Sequence, residues 1–473
     1  MNENLSALLP ELALAGGAVI GLLAGSWLPR HRQWAVAALA VAACVTGLAA
    51  TAVTMATRGE QAVFSQAFAV DTATDAGRLI VLGALLLVVA MSVETVRGHK
   101  RESEYWVLLL MTGAGTLAMI GANDLLMLFA AYLLASIPAY ALSAFAKDAP
   151  GTEAALKYYL MGALLGTTML AGTALLYGAG HATLYPQLRA ALPSAPYALV
   201  TVGLVAVLAG LLFKAGAVPA HFWVPDVTQG APTPVAAYVT TLPKIGGLIA
   251  GYRLLHQALA DSGVNWPLLL AILAAATMTL GNLAAFFQTS VKRLLAYSTI
   301  SQVGYLLMAL AVATRTDLAQ KGLLFYLAAY AATNLGAFAV VTELPEARDL
   351  ADYRGLARRH PGLAAVLVVC LLGLVGTPPT GVFLGKLEIF SATIDGGYTW
   401  LAALAVANTV ASLFYYLRWL APLFTTADPA PAGAHAVLGR WAAATAYTAG
   451  ALSLALGVAG GTVLPFATGP LLP

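Results

Sequence analysis

The segment 206-AVLAGLLFKAGAVPAHFWVPDVTQGAPTPVAAYVTTLPKIGGLIAG-251 places two lysines, Lys214 and Lys244, inside successive apolar runs, with prolines crowded between them. Such runs extend along the whole chain of 473 residues, of which 60% are hydrophobic and only 10% charged. The mean hydropathy is +0.82, and a soluble domain would carry roughly 25% charged residues. Apolar runs of about 18 residues or more read as spans. Fourteen are expected, near 7–27, 34–56, 79–95, 105–122, 124–145, 157–179, 196–220, 231–257, 266–286, 291–313, 321–342, 362–392, 399–423 and 440–465. The first run lacks the basic flank and small-residue cleavage site of a removable signal, so it reads as a span.

The cations set an orientation. Of 24 Lys and Arg, fourteen fall in loops after odd-numbered spans, among them Arg97, Lys157, Lys292, Arg348 and Arg440. Six fall after even-numbered spans: Arg58, Arg78, Arg189, Arg253, Arg315 and Lys321. The positive-inside rule then puts the odd loops in the cytoplasm and both termini outside. Four cations remain within spans: Lys214, Lys244, Lys386 and Arg418. Each costs about 2.5–3.5 kcal/mol at the bilayer centre. Arg418 lies near the end of its span and can snorkel, but the three lysines have long apolar flanks on both sides and read as interior, functional groups.

Proline breaks two spans. Pro219 and Pro225 follow Lys214, and 376-GTPPTG-381 precedes Lys386. Proline removes a backbone donor and clashes with the preceding turn, and in lipid such a break survives only when buried in protein or lining a wet cavity. The broken seventh and twelfth spans lie five apart, and a five-helix unit repeated once must return inverted. The fold predicted is thus an all-α polytopic membrane protein with two inverted five-helix repeats, spans 4–8 and 9–13. The corresponding segments are 1–104, 105–257, 258–425 and 426–473. A lysine beside a water-lined break is a proton-relay candidate, because burial favours its neutral form and a nearby carboxylate its charged form. Other motifs carry less. Cys44 and Cys370 lie in separate spans and suggest neither a disulfide nor a thiolate metal site. The string 113-GAGTLA-118 lies inside a span and reads as small residues that let helices approach, as do Gly17, Gly21 and Gly25.

The strings 123-NDLLMLF-129, 211-LLFKAGAVPAHFWVPDVTQGAPTPV-235, 291-VKRLLAYSTISQVGY-305, 353-YRGLARRHPGLAA-365, 376-GTPPTGVFLGK-386 and 415-YYLR-418 resemble one family, the antiporter-like membrane subunits of respiratory complex I, and within it the subunit N branch. The opening 9-LPELAL-14 and the lysine at 386 favour this branch over the longer subunits. The resemblance implies a proton channel of two half-channels in a bacterial plasma membrane, with Lys214, Lys244 and Lys386 as relay lysines and His221 beside the first break. It implies other membrane-arm subunits and the lipid bilayer as partners, and no nucleic acid. NADH, FMN, iron–sulfur clusters and quinone would belong to partner subunits, and this chain would bind no cofactor. Related readings are an Mrp-type cation/proton antiporter, a membrane-bound hydrogenase subunit, or a structural spacer that moves no ions.

The chain departs from that family in three places. The fifth-span glutamate expected opposite Lys214 is Leu133, and Asp124, about 13.5 Å away along the helix, cannot replace it and reads as a group at the outer entrance. Glu388 stands where an aromatic residue is expected; at two residues from Lys386 it points about 200° away, yet it is retained as a relay candidate. Gln302 stands where histidine is common. These departures predict a weakened first half-channel.

Overall fold

The computed structural model describes residues 4–57, 59–426 and 439–472, so Arg58 and part of the segment 426–473 lie outside the described residues. Helices α1 (Leu9–Trp27), α2 (Trp34–Thr57) and α3 (Thr72–Val96) precede the first repeat, with a short hairpin of β1 (Gln61–Val63) and β2 (Phe68–Val70) between α2 and α3. The first repeat comprises α4 (Glu102–Gly121), α5 (Leu125–Ser143), α6 (Ala149–Gly180), the short α7 (Tyr185–Ala191), then α8 (Tyr197–Ala215), α9 (Trp223–Gly230) and α10 (Thr233–Gln257). The second comprises α11 (Trp266–Ala285), α12 (Val291–Ala311), α13 (Leu318–Glu343), the short α14 (Leu356–Arg359), then α15 (Pro361–Val375), α16 (Gly381–Asp395) and α17 (Thr399–Phe424). Helices α18 (Arg440–Val458) and α19 (Gly460–Val463) close the chain. Among the described residues 12 helices are long and apolar enough to cross a membrane. Two expected spans differ for physical reasons: α10 carries Lys244 and Arg253 among its 25 residues, and the twelfth span is two halves of 15 residues each.

The repeat shows in the packing. Helix α4 packs on α5 as α11 packs on α12; α6 packs on both halves α8 and α9 as α13 packs on α15 and α16; α10 and α17 close the units against their own broken spans. A backbone bridge ahead of α5, Asp124 to Leu184, is matched ahead of α12 by Ser290 to Asp349. Glycine permits the closest approaches, because without a Cβ two helices can touch backbone to backbone. A Cβ on Gly115 would lie 2.3 Å from the Ala135 amide nitrogen, and one on Gly304 would lie 2.4 Å from that of Met278. The glycine string 113–118 therefore serves packing, as do Gly17, which faces Ala43, and Gly25, which faces Ser103.

Two cations assigned to loops are instead buried inside the bundle. Arg78 is fully buried in α3, where Nε and Nη2 donate to the Glu11 carboxylate at 2.8 Å and Nη1 to Asp75 at 3.1 Å. Arg253, also fully buried, forks onto Asp71 with both bonds at 2.7 Å and donates to Thr74 Oγ1 at 2.9 Å. Helix α3 begins at Thr72 rather than near 79, because Asp71 caps it by accepting from the Thr74 amide and these acids neutralise what its first turns bury. Lys292, Arg293 and Lys321, also expected in loops, sit in the first turns of α12 and α13, and Lys157 sits in the third turn of α6.

Candidate functional site

Both breaks are built alike. Helix α8 stops at Ala215, followed by Gly216 in the left-handed region (φ 75°); α15 stops at Val375, followed by Gly376 (φ 90°). Each has a cis-proline three residues after its glycine, Pro219 and Pro379. Left-handed backbone suits glycine, which has no Cβ to clash. A helix end leaves its last carbonyls without intrahelical donors, and buried ones must find others.

Lysines supply them. Lys244, fully buried on α10, donates to the Ala215 carbonyl at 2.7 Å. Lys386, on α16, donates to the Val375 carbonyl at 2.8 Å and lies 4.2 Å from the centroid of the Tyr305 ring. Lys214, one residue before the end of α8 and also fully buried, donates to Ser136 Oγ on α5 at 2.9 Å and faces the Tyr132 ring at 5.6 Å. His221 is buried beside the first break, its ring 4.4 Å from that of Phe222, and among the described residues its Nδ1 has no hydrogen-bond partner.

Polar side chains connect the two breaks through the middle of the bundle. One turn from Lys244 on α10, Thr241 Oγ1 accepts from Asn334 Nδ2 at 2.8 Å, and the Thr240 carbonyl accepts from the Tyr330 hydroxyl at 2.9 Å. Tyr330 meets Thr299 Oγ1 on α12 at 3.1 Å. One turn further, Gln302 donates to the Leu374 carbonyl at 2.8 Å and accepts from the Tyr326 hydroxyl. Leu374 is adjacent to Val375, which holds Lys386. At the end of the bundle that carries the odd loops, a cleft of about 720 Å³ is lined by His99, Asp148, Lys157, Asp226, Lys292 and Arg348, among others. There Lys292 donates to the Ala231 carbonyl between α9 and α10 at 2.6 Å, and Asp226 pairs with Lys157 at 2.8 Å and Arg293 at 3.1 Å.

Residues 122–412 match the family model described as NADH:quinone oxidoreductase/Mrp antiporter, transmembrane. A protein named NADH-quinone oxidoreductase subunit N 1 from Streptomyces griseus subsp. griseus is 56% identical over 464 residues, covering 98% of each chain. The chain belongs to the NADH-quinone oxidoreductase subunit N family. A chain of respiratory complex I from Thermus thermophilus, solved with bound aureothin, superposes with a TM-score of 0.84 at 32% identity, covering 98% of this chain and all of that one. A chain of the Mrp complex from Dietzia sp. DQ12-45-1b superposes at 0.87 with 23% identity over 98% of this chain and 96% of that one, a likeness of fold alone.

Against the subunit N pattern, the structure moves several residues. Leu133 does not face Lys214: its side of α5 is turned outward, 37% exposed, and Ser136, nearly one turn on, is the α5 group that Lys214 meets. Asp124 is no free entrance group; its Oδ1 caps α5 by accepting from the amides of Leu126 at 2.8 Å and Met127 at 3.0 Å. Glu388 is not brought to Lys386 but pairs with Lys321 on α13 at 2.9 Å. Gln302 links the second break to Tyr326. Arg418 donates to the carbonyls of Phe286 and Gln288 near the end of α17. Sequence reasoning missed Ser136, Asn334, Tyr326 and Tyr330. The last three recur every four residues on one face of an apolar helix, and that polar stripe was the available signal.

Proposed function

We propose that the chain carries protons across a bacterial plasma membrane as a membrane-arm subunit of an NADH:quinone oxidoreductase, with Lys214, Lys244 and Lys386 as the proton-bearing groups. The observation that carries this reading is the pair of helix breaks, each with a buried lysine on its open carbonyl, and the hydrogen-bonded polar groups that lie between them at intervals of one helix turn. A buried ammonium is costly in hydrocarbon, and a spacer has no use for three. The hydroxyls of Tyr330, Thr299 and Tyr326 can each accept one proton while donating another, whereas Asn334 and Gln302 hold them in place. His221 extends the path at the first break. Glu388, whose charge is answered by Lys321, is left outside it.

The orientation follows the same reading. With Arg78 and Arg253 removed from the loops, fourteen cations stand on the odd side against four on the even side, which supports a cytoplasmic odd face and both termini outside. The polar cleft around Lys292 would then be the cytoplasmic mouth. The matched helix pairings support repeats at 105–257 and 258–425, flanked by 1–104 and 426–473. Moving one proton against 100 mV costs about 2.3 kcal/mol, so the path must be driven by redox chemistry in partner subunits, which carry the flavin, the iron–sulfur clusters and the quinone site.

The test is the assembled complex in sealed vesicles, read for proton uptake per NADH oxidised. Lys214→Ala, Lys244→Ala and Lys386→Ala should each lower that ratio while NADH oxidation continues. Assembled variants that all pump at the parental ratio would overturn the reading.

A further inference from the structure

The two breaks hold the same contact made with non-equivalent lysines. The Ala215 and Val375 carbonyls occupy matching places, one residue before a left-handed glycine and four before a cis-proline. The lysines do not match: Lys244 comes from α10, the span after the first break, whereas Lys386 comes from α16, the second half of its own broken span. What recurs is an ammonium seated on the end of a half-helix. Each glycine leaves room for its lysine: a Cβ on Gly216 would lie 2.7 Å from Val224 Cγ2 and 2.9 Å from Lys244 Nζ, and one on Gly376 would lie 2.9 Å from Lys386 Cδ and 3.7 Å from its Nζ.

Among the described residues none of Lys214, Lys244 and Lys386 forms an ion pair. Around Lys244, α8 contributes Lys214, whose Cβ lies beside Gly247. Helix α13 contributes Tyr330, on the Thr240 carbonyl. From α3, Asp71 is committed to Arg253, nine residues and about 13.5 Å along α10. Around Lys386, α12 contributes Tyr305, α13 contributes Tyr326 against Gly385, α17 contributes Thr409 Oγ1 at 3.4 Å, and Glu388 on its own helix is paired with Lys321.

We propose that the open carboxyl ends of α8 and α15 are the counter-charges of Lys244 and Lys386, doing with backbone dipole what a carboxylate does elsewhere. The end of a helix carries about half a negative charge concentrated on its last carbonyls, and in a water-poor interior that partial charge is weakly screened. It is fixed in place and never takes up the proton, so the lysine alone titrates. The inference rests on the proton-path reading above.

The assembled complex in vesicles again provides the test, now with pumping per NADH followed across pH. Gly216→Ala and Gly376→Ala push the ammonium off its carbonyl, so the alkaline limb of the pumping profile should move down by about one pH unit, the size of a helix-terminus charge interaction. Gly263→Ala introduces the same backbone strain, at φ 73° with nothing within 4 Å of its Cβ, and should follow the parent. Where an alanine variant does not assemble, Gly216→Asn and Gly376→Asn carry the same displacement in a residue that tolerates the left-handed region. Break variants that keep the parental limb overturn the proposal. If Lys244→Ala and Lys386→Ala pump as the parent does, the proton-path reading fails instead.

Discussion

At the scale of the residue, the group that answers Lys214 is Ser136 and not position 133, where the sequence had led us to look for an acid. A hydroxyl can accept from either the charged or the neutral amine, so it holds the side chain without dictating its charge. Hydrogen bonds to charged groups contribute about 1.5–3 kcal/mol. Ser136→Ala should therefore loosen Lys214 and lower proton uptake per NADH, while Leu133→Ala, on the outward side of α5, should leave the ratio unchanged; vesicle pumping assays on the two variants separate them. The lysines were legible from the string alone, because a cation within an apolar run has few bland explanations. Ser136 was not, because a serine in a span is common and its role depends on which helix faces it.

At the scale of the element, close approach decides which helices can be neighbours. Helices α4 and α5 meet where Gly115 lies against the backbone at Leu134 and Ala135. That contact holds α5, and with it Ser136, in reach of Lys214. Any side chain at 115 has to force the helices apart, and overpacking costs about 1–3 kcal/mol even where neighbours can adjust. Gly115→Val should thus reduce the amount of this subunit recovered in the purified complex, whereas Gly16→Ala, with nothing within 4 Å of its Cβ, should not. Immunoblots of the complex against total membrane protein measure the difference. The broken spans belong to this scale too. Their prolines announced the interruptions, but only the folded chain shows that lysines from two different elements close them.

At the scale of the molecule, buried ion pairs fasten the flanking helices to the repeats. Asp71 joins α3 to α10 through Arg253 and accepts from the Leu472 amide at 3.0 Å, so it also anchors the chain's closing segment. Burial acts against the Asp71 carboxylate, but the Arg253 guanidinium overrides it and holds the carboxyl below its usual value of 3.8. A depressed folded value contributes stability that is fully present above about pH 4 and is lost as pH falls below it. Asp71→Asn should cost about 3–5 kcal/mol by stranding Arg253 and should flatten the acid limb of stability that the parent shows below pH 4, as read by thermal unfolding in detergent. The sequence by itself determined the all-helical membrane class, the two breaks, the odd-even charge asymmetry and the three lysines within apolar runs, since hydropathy, proline and isolated charge act locally and leave local marks. Tertiary structure decided the partners: that Arg78 and Arg253 are buried pairs rather than loop cations, that Glu388 turns to Lys321, and that Ala215 and Val375 each present a carbonyl to a lysine. Those choices depend on which faces of distant helices meet, and a hydrogen bond between α10 and the end of α8 leaves no mark in the spacing of either.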